Sequence, residues 1–192
     1  MSFSSAASGS FGAGTSAARG FPDFGLLTMS EMVENAAVMA RSVSIPLIAD
    51  ADTGYGNQLN VTRTVREYEA RGVAAIHIED QVAPKRCGHL DGKEVVSRAE
   101  FVSKIRAAVQ ARRTPDFVII ARTDAAAVEG LAGAIERANL YKEAGADIVF
   151  PDALAAEDDF RAFAKAVPGP KMCNMTEFGR TPYFTKDQFQ DM

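Results

Sequence analysis

Ile45-Pro46-Leu47-Ile48-Ala49, running straight into Asp50-Ala51-Asp52, is the stretch on which the fold turns. A short unbroken apolar run flanked by proline suits a strand covered on both faces, the situation of strands in parallel sheets. The run ends abruptly in two carboxylates. Outward from it the same unit recurs. Upstream, Thr28-Met29-Ser30-Glu31 has the spacing of a capping box and predicts a helix from about Ser30 to Arg41. Downstream come a helix near Asn60 to Arg71, a strand Ala74 to Ile78, and a helix Arg98 to Ala111 behind a second box at Ser97 and Glu100. A strand Phe117 to Ala121, a helix Leu131 to Ala144, a strand Asp147 to Phe150 and a helix Glu157 to Val167 follow. The apolar stretch Lys171 to Met175 counts as a fifth strand, and Thr185-Lys186-Asp187-Gln188 opens one more helix.

Strict βα alternation with doubly buried strands means a parallel sheet under helices, either an open doubly wound sheet or a closed barrel. Periodicity leaves both open. The polar residues decide, because they fall at the C-terminal end of every strand: Asp50 and Asp52, Glu79 and Asp80, Arg122 and Asp124, Asp152, Asn174 and Thr176. A (β/α)8 barrel builds its site from several strand ends, whereas an open sheet gathers it at one switch point. No glycine-rich phosphate fingerprint follows any strand. The expectation is therefore an incomplete α/β barrel of the TIM type, over residues 11–192, behind an atypical flexible N-terminus at residues 1–10.

The 192 residues are 47% hydrophobic and 24% charged, enough to fill one core. A formal net charge of -4 speaks against a nucleic-acid binder, and no apolar run approaches a membrane span. Two cysteines, Cys87 and Cys173, are too few for a disulfide scaffold, so a reducing compartment is the simpler reading. The opening residues lack the pattern of a secretory signal. These features point to a cytoplasmic enzyme acting on small molecules.

Asp50 and Asp52 sit two residues apart, and on a strand such residues share a face, where a divalent cation would relieve their repulsion. The alternative is a polar loop start with an Asx turn; Glu79 at the next strand end strengthens the metal reading. His77 shares a face with Glu79 but reads first as a hydrogen-bonded histidine of the interior. The connection from Asp80 to Val96 is 17 residues long, where about two to six is usual, and such loops tend to be functional. It carries Lys85-Arg86-Cys87-Gly88-His89, two cations and an imidazole around a thiol, an environment that makes a thiol a usable proton donor or nucleophile. A solvated basic turn is the rival reading. Cys173, in an apolar strand, reads as packed. Arg122 can hold a carboxylate bidentately, or else form a structural bridge to Asp80 or Asp124. Asn174 and Thr176 alternate onto one face as neutral hydrogen-bonding groups.

Taken together these motifs resemble the isocitrate lyase and phosphoenolpyruvate mutase superfamily. The carriers are Asp50-Ala51-Asp52-Thr53-Gly54-Tyr55-Gly56, His77-Ile78-Glu79-Asp80-Gln81, Lys85-Arg86-Cys87-Gly88-His89, Ala121-Arg122-Thr123-Asp124-Ala125 and Asn174-Met175-Thr176-Glu177-Phe178-Gly179. Lys85 to His89 is similar to the catalytic-loop signature of the lyases, and methylisocitrate and 2-methylmalate-type lyases are nearest. The resemblance implies a carbon-carbon lyase that needs Mg²⁺, or Mn²⁺ in its place, and splits a 2-hydroxy polycarboxylate into a 2-oxoacid (pyruvate or glyoxylate) and a dicarboxylate. It implies Asp52 as the direct metal ligand, with Asp50 and Glu79 through water. Cys87 would be the proton donor, and Arg122, Asn174 and Thr176 would hold carboxylates. Gly12 and Ala13 would bind the oxoacid, Gly88 and His89 the leaving fragment, and Asp152 would add a further substrate contact. An oxaloacetate hydrolase, a dimethylmalate-type lyase, a phosphonomutase and an inactive fragment are the alternatives. The sequence departs from the family at Asp152, where a glutamate is usual, and at Phe11, where a hydroxyl residue precedes Gly12. The family barrel begins before this chain and continues after it, so about strands two or three to seven are represented, and a longer form is expected to be a homo-oligomer.

Overall fold

The computed structural model describes residues 7–8, 11–87, 90–175, 179 and 181–192. Five parallel strands form one sheet: β1 (Ala7–Ser8), β2 (Leu47–Asp50), β3 (Ala75–Glu79), β4 (Val118–Thr123) and β5 (Ile148–Pro151). Their spatial order is their sequence order and never reverses. That is the winding of a barrel wall; an open doubly wound sheet would reverse at a switch point. The chain is thus an incomplete (β/α)8 barrel. The connections carry helices α1 (Phe11–Ala18), α2 (Met29–Ser42), α3 (Gln58–Ala70), α4 (Arg98–Ala111), α5 (Ala126–Glu143), α6 (Glu157–Ala166) and α7 (Lys186–Asp191).

Strands β2 to β5 have two buried faces. Outward-facing Leu47, Ala49, Ile76, Ile78, Ile119 and Ala121 join Val65, Tyr68, Phe101, Ile105 and Tyr141 of the covering helices in the main core. The inward face is layered. Ile48, Ala75, Ile120 and Phe150 make a small apolar plug. Above it the same alternation brings Asp50, His77, Glu79 and Arg122 inward, and the register sets Asp50 beside His77 and Glu79 beside Arg122. Period-2 alternation on doubly covered strands therefore yields a greasy base and a charged rim.

Several expectations need correction. Residues 7–8, read as part of a flexible opening, pair in parallel with Leu47 and Ile48, and the glycine-rich segment that follows is helical. The stretch from Lys171, read as a fifth strand, makes an isolated bridge to Val149 instead. Helix α5 begins at Ala126 rather than Leu131, because Gly130 at φ 76° kinks one helical turn onto the next without ending the element. The boxes at Thr28 and Thr185 are complete, whereas Ser97 only accepts from the Glu100 amide. Asn57, unread as a cap, makes a reciprocal box with Asn60 at the start of α3. No helix among the described residues is long and apolar enough to cross a membrane.

Candidate active site

The ladder continues past the strand ends. The Glu79 amide donates to Asp52 O at 2.9 Å and the Asp152 amide to Thr123 O at 3.0 Å, which gathers the acids of neighbouring strands on one rim. Asp52 itself lies beyond β2 at φ 44°, so simple strand alternation does not place it. An Asx turn does: Asp50 Oδ1 accepts from the Asp52 amide at 2.9 Å, and Tyr68 Oη donates to Asp50 O at 2.9 Å from behind. Turn and carboxylate pair, weighed as rivals in the sequence, are one object here. Gly12 is buried beside them; a Cβ there would stand 2.7 Å from Asp50 Oδ2 and 3.2 Å from Asp23 Oδ1, so the rim requires glycine. Ala13, next along α1, is exposed.

Lys85 overturns an expectation. Read as a cation beside the Cys87 thiol, it is buried and pairs with Asp23 Oδ1 at 2.6 Å and Asp52 Oδ1 at 3.4 Å. Its ammonium therefore serves the acids rather than the thiol. Burial opposes its charge, but Asp50, Glu79, Asp52 and Asp23 together raise its pKa. Asp23 is a site residue that the sequence reading missed. Burial works against ionisation of Asp50, yet His77, Lys85 and Arg122 hold its carboxyl below the usual range. Asp52 goes the other way, pushed up to about 7 by burial and by the charge of Asp50. His77, lowered by burial, stands 3.6 Å from Asp50 Oδ1 and edge-on to Phe150.

Arg122 is the hub of the rim. Its Nε lies 2.9 Å from Asp124 Oδ2 and 3.3 Å from Glu79 Oε2, and its Nη2 lies 3.0 Å from Asp152 Oδ2, while the guanidinium covers the Phe150 ring. The structural bridge weighed in the sequence exists to Asp124, not to Asp80. Asp80 instead accepts from Thr123 Oγ1, Tyr141 Oη and the Asp124 amide, a closed network behind the rim. Burial lifts the Glu79 carboxyl well above its ordinary value despite Arg122.

The long loop is rooted on a short antiparallel stem. Gln81 bridges Val95, the Val82 amide donates to Glu94 O and the Val96 amide to Asp80 O. Gln81 Nε2 donates to Arg86 O and Gln81 Oε1 accepts from the Arg86 amide, both at 2.9 Å. Lys93 Nζ donates to Asp124 Oδ1 at 3.0 Å. Cys87 is half-buried beyond these anchors, and Asn174 is half-buried on the segment after Lys171. Gly88, His89 and Thr176 lie outside the described residues.

Buried polar atoms are almost always hydrogen-bonded. Here Asp52 Oδ1, both Glu79 carboxylate oxygens and His77 Nδ1 are buried without a hydrogen-bond partner. Oxygens left in this state on neighbouring acids fit a hard divalent cation. Among the described residues no three His, Cys, Asp or Glu side chains stand close enough to ligate one ion together.

The chain matches the family model described as phosphoenolpyruvate phosphomutase over residues 2–192. It is 55% identical over 180 residues to the 2-methylisocitrate lyase of Aeropyrum pernix, covering 94% of this chain and 58% of that protein. The structure of oxaloacetate acetylhydrolase in complex with the inhibitor 3,3-difluorooxalacetate superposes with a TM-score of 0.92 at 41% identity, over 97% of this chain and 64% of that one. Phosphonopyruvate hydrolase in complex with oxalate and Mg²⁺ superposes with a TM-score of 0.76 at 41% identity, over 88% and 58%. The chain thus spans about three fifths of the length of the relatives it matches. With a family model matched over nearly its whole length, the chain belongs to the phosphoenolpyruvate mutase and isocitrate lyase superfamily.

Proposed function

We propose that the protein is a metal-dependent carbon-carbon lyase that cleaves a 2-hydroxy polycarboxylate of the 2-methylisocitrate type into a 2-oxoacid and a dicarboxylate. The observation that carries the reading is the rim itself, where a guanidinium fixed by three acids stands beside carboxylate oxygens without hydrogen-bond partners. The 55% identity to a 2-methylisocitrate lyase supports the substrate class. Residues 11–192 act in this reading as part of one catalytic barrel, in a cytoplasmic homo-oligomer with a small carboxylate as its partner.

Asp52 would hold Mg²⁺ directly and Asp50 and Glu79 would hold it through water, and the ion would supply a Lewis acid for the 2-hydroxy acid oxygens. Every other part is taken by the chain. Arg122 pairs with a substrate carboxylate and meets the charge that develops as the carbon-carbon bond breaks. The electron pair of that bond passes into a carboxylate-stabilised carbanion, which Cys87 protonates from its thiol. Glu79 accepts the hydroxyl proton on one of its carboxylate oxygens, both of which lack a hydrogen-bond partner. Gly12 leaves space for the oxoacid, Asp152 orients Arg122, and Asn174, Thr176, Gly88 and His89 contact the remaining substrate groups.

The test is pyruvate release from 2-methylisocitrate with Mg²⁺ and with chelator. Metal-dependent release supports the reading. Acetate and oxalate from oxaloacetate, with no release from 2-methylisocitrate, would assign the oxaloacetate hydrolase activity instead, the alternative supported by the likeness to oxaloacetate acetylhydrolase.

A further inference from the structure

The loop that carries Cys87 is held at both roots by buried side chains that the proposed chemistry does not use. At the upstream root the Gln81 amide meets the main chain of Arg86 as a strand would, one donor and one acceptor at 2.9 Å each. Gln81 is 1% exposed. A peptide unit is planar, and the unit containing the Arg86 carbonyl also contains the amide nitrogen and Cα of Cys87. Holding the Arg86 N–H and C=O therefore fixes both peptide planes around Arg86, and the second carries Cys87. At the downstream root Lys93 Nζ donates to Asp124 Oδ1 at 3.0 Å, and that same oxygen accepts from Arg122 Nη2 at 3.2 Å. The loop root and the substrate-binding guanidinium thus share one acceptor atom.

We propose that Gln81 and Lys93 are positioning residues, which together set the main chain of Cys87 at a fixed place relative to Arg122. The proposal rests on Cys87 as the proton donor. A polar pair buried only to be satisfied has no need to grip the residue before the reactive thiol, nor to end on the carboxylate that orients Arg122. Displacement of a catalytic group by about 1 Å can cost roughly 100-fold in rate, so loosening either root reaches the chemistry without touching substrate.

The experiment uses Cys173→Ser as background, so that Cys87 is the reporter thiol. Turnover, iodoacetamide alkylation rate and thermal unfolding are measured for Gln81→Met, Gln81→Glu and Lys93→Met. For Gln81→Met the expected result is a kcat lower by about 10- to 100-fold, an almost unchanged KM and an altered alkylation rate. Gln81→Glu keeps the acceptor and loses the donor, so it falls between parent and Gln81→Met. Lys93→Met raises KM as well, because Asp124 and Arg122 move with it. Parental kcat and alkylation rate in folded Gln81→Met and Lys93→Met would overturn the proposal, as would losses that track only the folded fraction. Should Gln81→Met not fold, the other two variants decide by the same criteria. If the parent cleaves no 2-hydroxy acid, the functional reading fails separately, and the alkylation rates still decide whether the two anchors place Cys87.

Discussion

At the N-terminal end of the strands, Asp147 Oδ2 accepts from Arg112 Nη1 at 2.7 Å and from the Ile119 amide at 2.8 Å. At the C-terminal end, both oxygens of Glu79 are buried without a hydrogen-bond partner. The contrast extends across the sheet. Near the base, Glu69 takes the Arg113 and Thr114 amides, and Lys142 caps the Ala146 and Asp147 carbonyls. On the rim, like charges crowd round Lys85 and Arg122, and Asp52 Oδ1 has an ion pair to Lys85 but no hydrogen bond. An unpaired buried polar group costs about 1–3 kcal/mol. The base has the chemistry of a fastening, whereas the rim keeps groups in want of partners, as a ligand site must.

The largest expected effect separates the two ends directly. Arg122→Met strands Glu79, Asp124 and Asp152 without their guanidinium, so about 3–5 kcal/mol of stability should go, and turnover with it. Arg112→Met should cost no more than about 1 kcal/mol, since Asp147 is partly exposed and keeps the Ile119 amide. Equal losses in urea melts would dissolve the contrast. Next in size, Cys87→Ser should slow turnover by about 10²- to 10⁴-fold, because a serine hydroxyl is a far weaker acid than a thiol. Its melting should stay parental, and Cys173→Ser should be mild; equal loss in both variants, each folded, would remove Cys87 from its role.

Mg²⁺ at a hundred times its dissociation constant should add about 2.7 kcal/mol to the folded state, and chelator should remove it. Asp52→Asn should abolish that increment yet fold at least as stably as the parent in chelator, because it relieves the repulsion from Asp50. Coincident melts with and without metal would take the rim acids out of metal binding. The smallest effect concerns a matched acid. Hydrogen bonding from Arg137 lowers Glu129 below its ordinary 4.5. Its contribution is therefore present above that value and lost as pH falls through the lower folded value. Glu129→Gln should flatten the acid limb of the stability curve; an unchanged limb would show the pair to be idle.

Much of this was legible in the sequence because alternation is strict where strands are covered on both faces. Spacing alone put His77 and Glu79 on one face and Arg122 at a strand end, and β3 and β4 fell within two residues of expectation. Asp23 was not legible. It lies 62 positions from the lysine it meets, in Phe21-Pro22-Asp23-Phe24-Gly25, where a lone acid looks like turn chemistry. Lys85 was misdirected because sequence proximity to Cys87 says nothing about which way a loop side chain turns. Gln81 and Lys93 escaped for a related reason: side chains that hold a loop are paired through space. Helix α1 was obscured by Gly12 and Gly14, which lower helix propensity while one of them leaves space beside Asp50.

Strands β3 and β4 share five registered pairs and end on Glu79 opposite Arg122, while β1 contributes two residues and Lys171 only a bridge. Amide exchange should follow that gradient, slowest in the central pair, where hydrogen bonds open only with the whole domain, and quicker at β1 and at the Lys171 bridge. The substrate would thus be gripped by the last part of the molecule to open, and Cys87 is tied to that part through the Gln81 and Lys93 side chains.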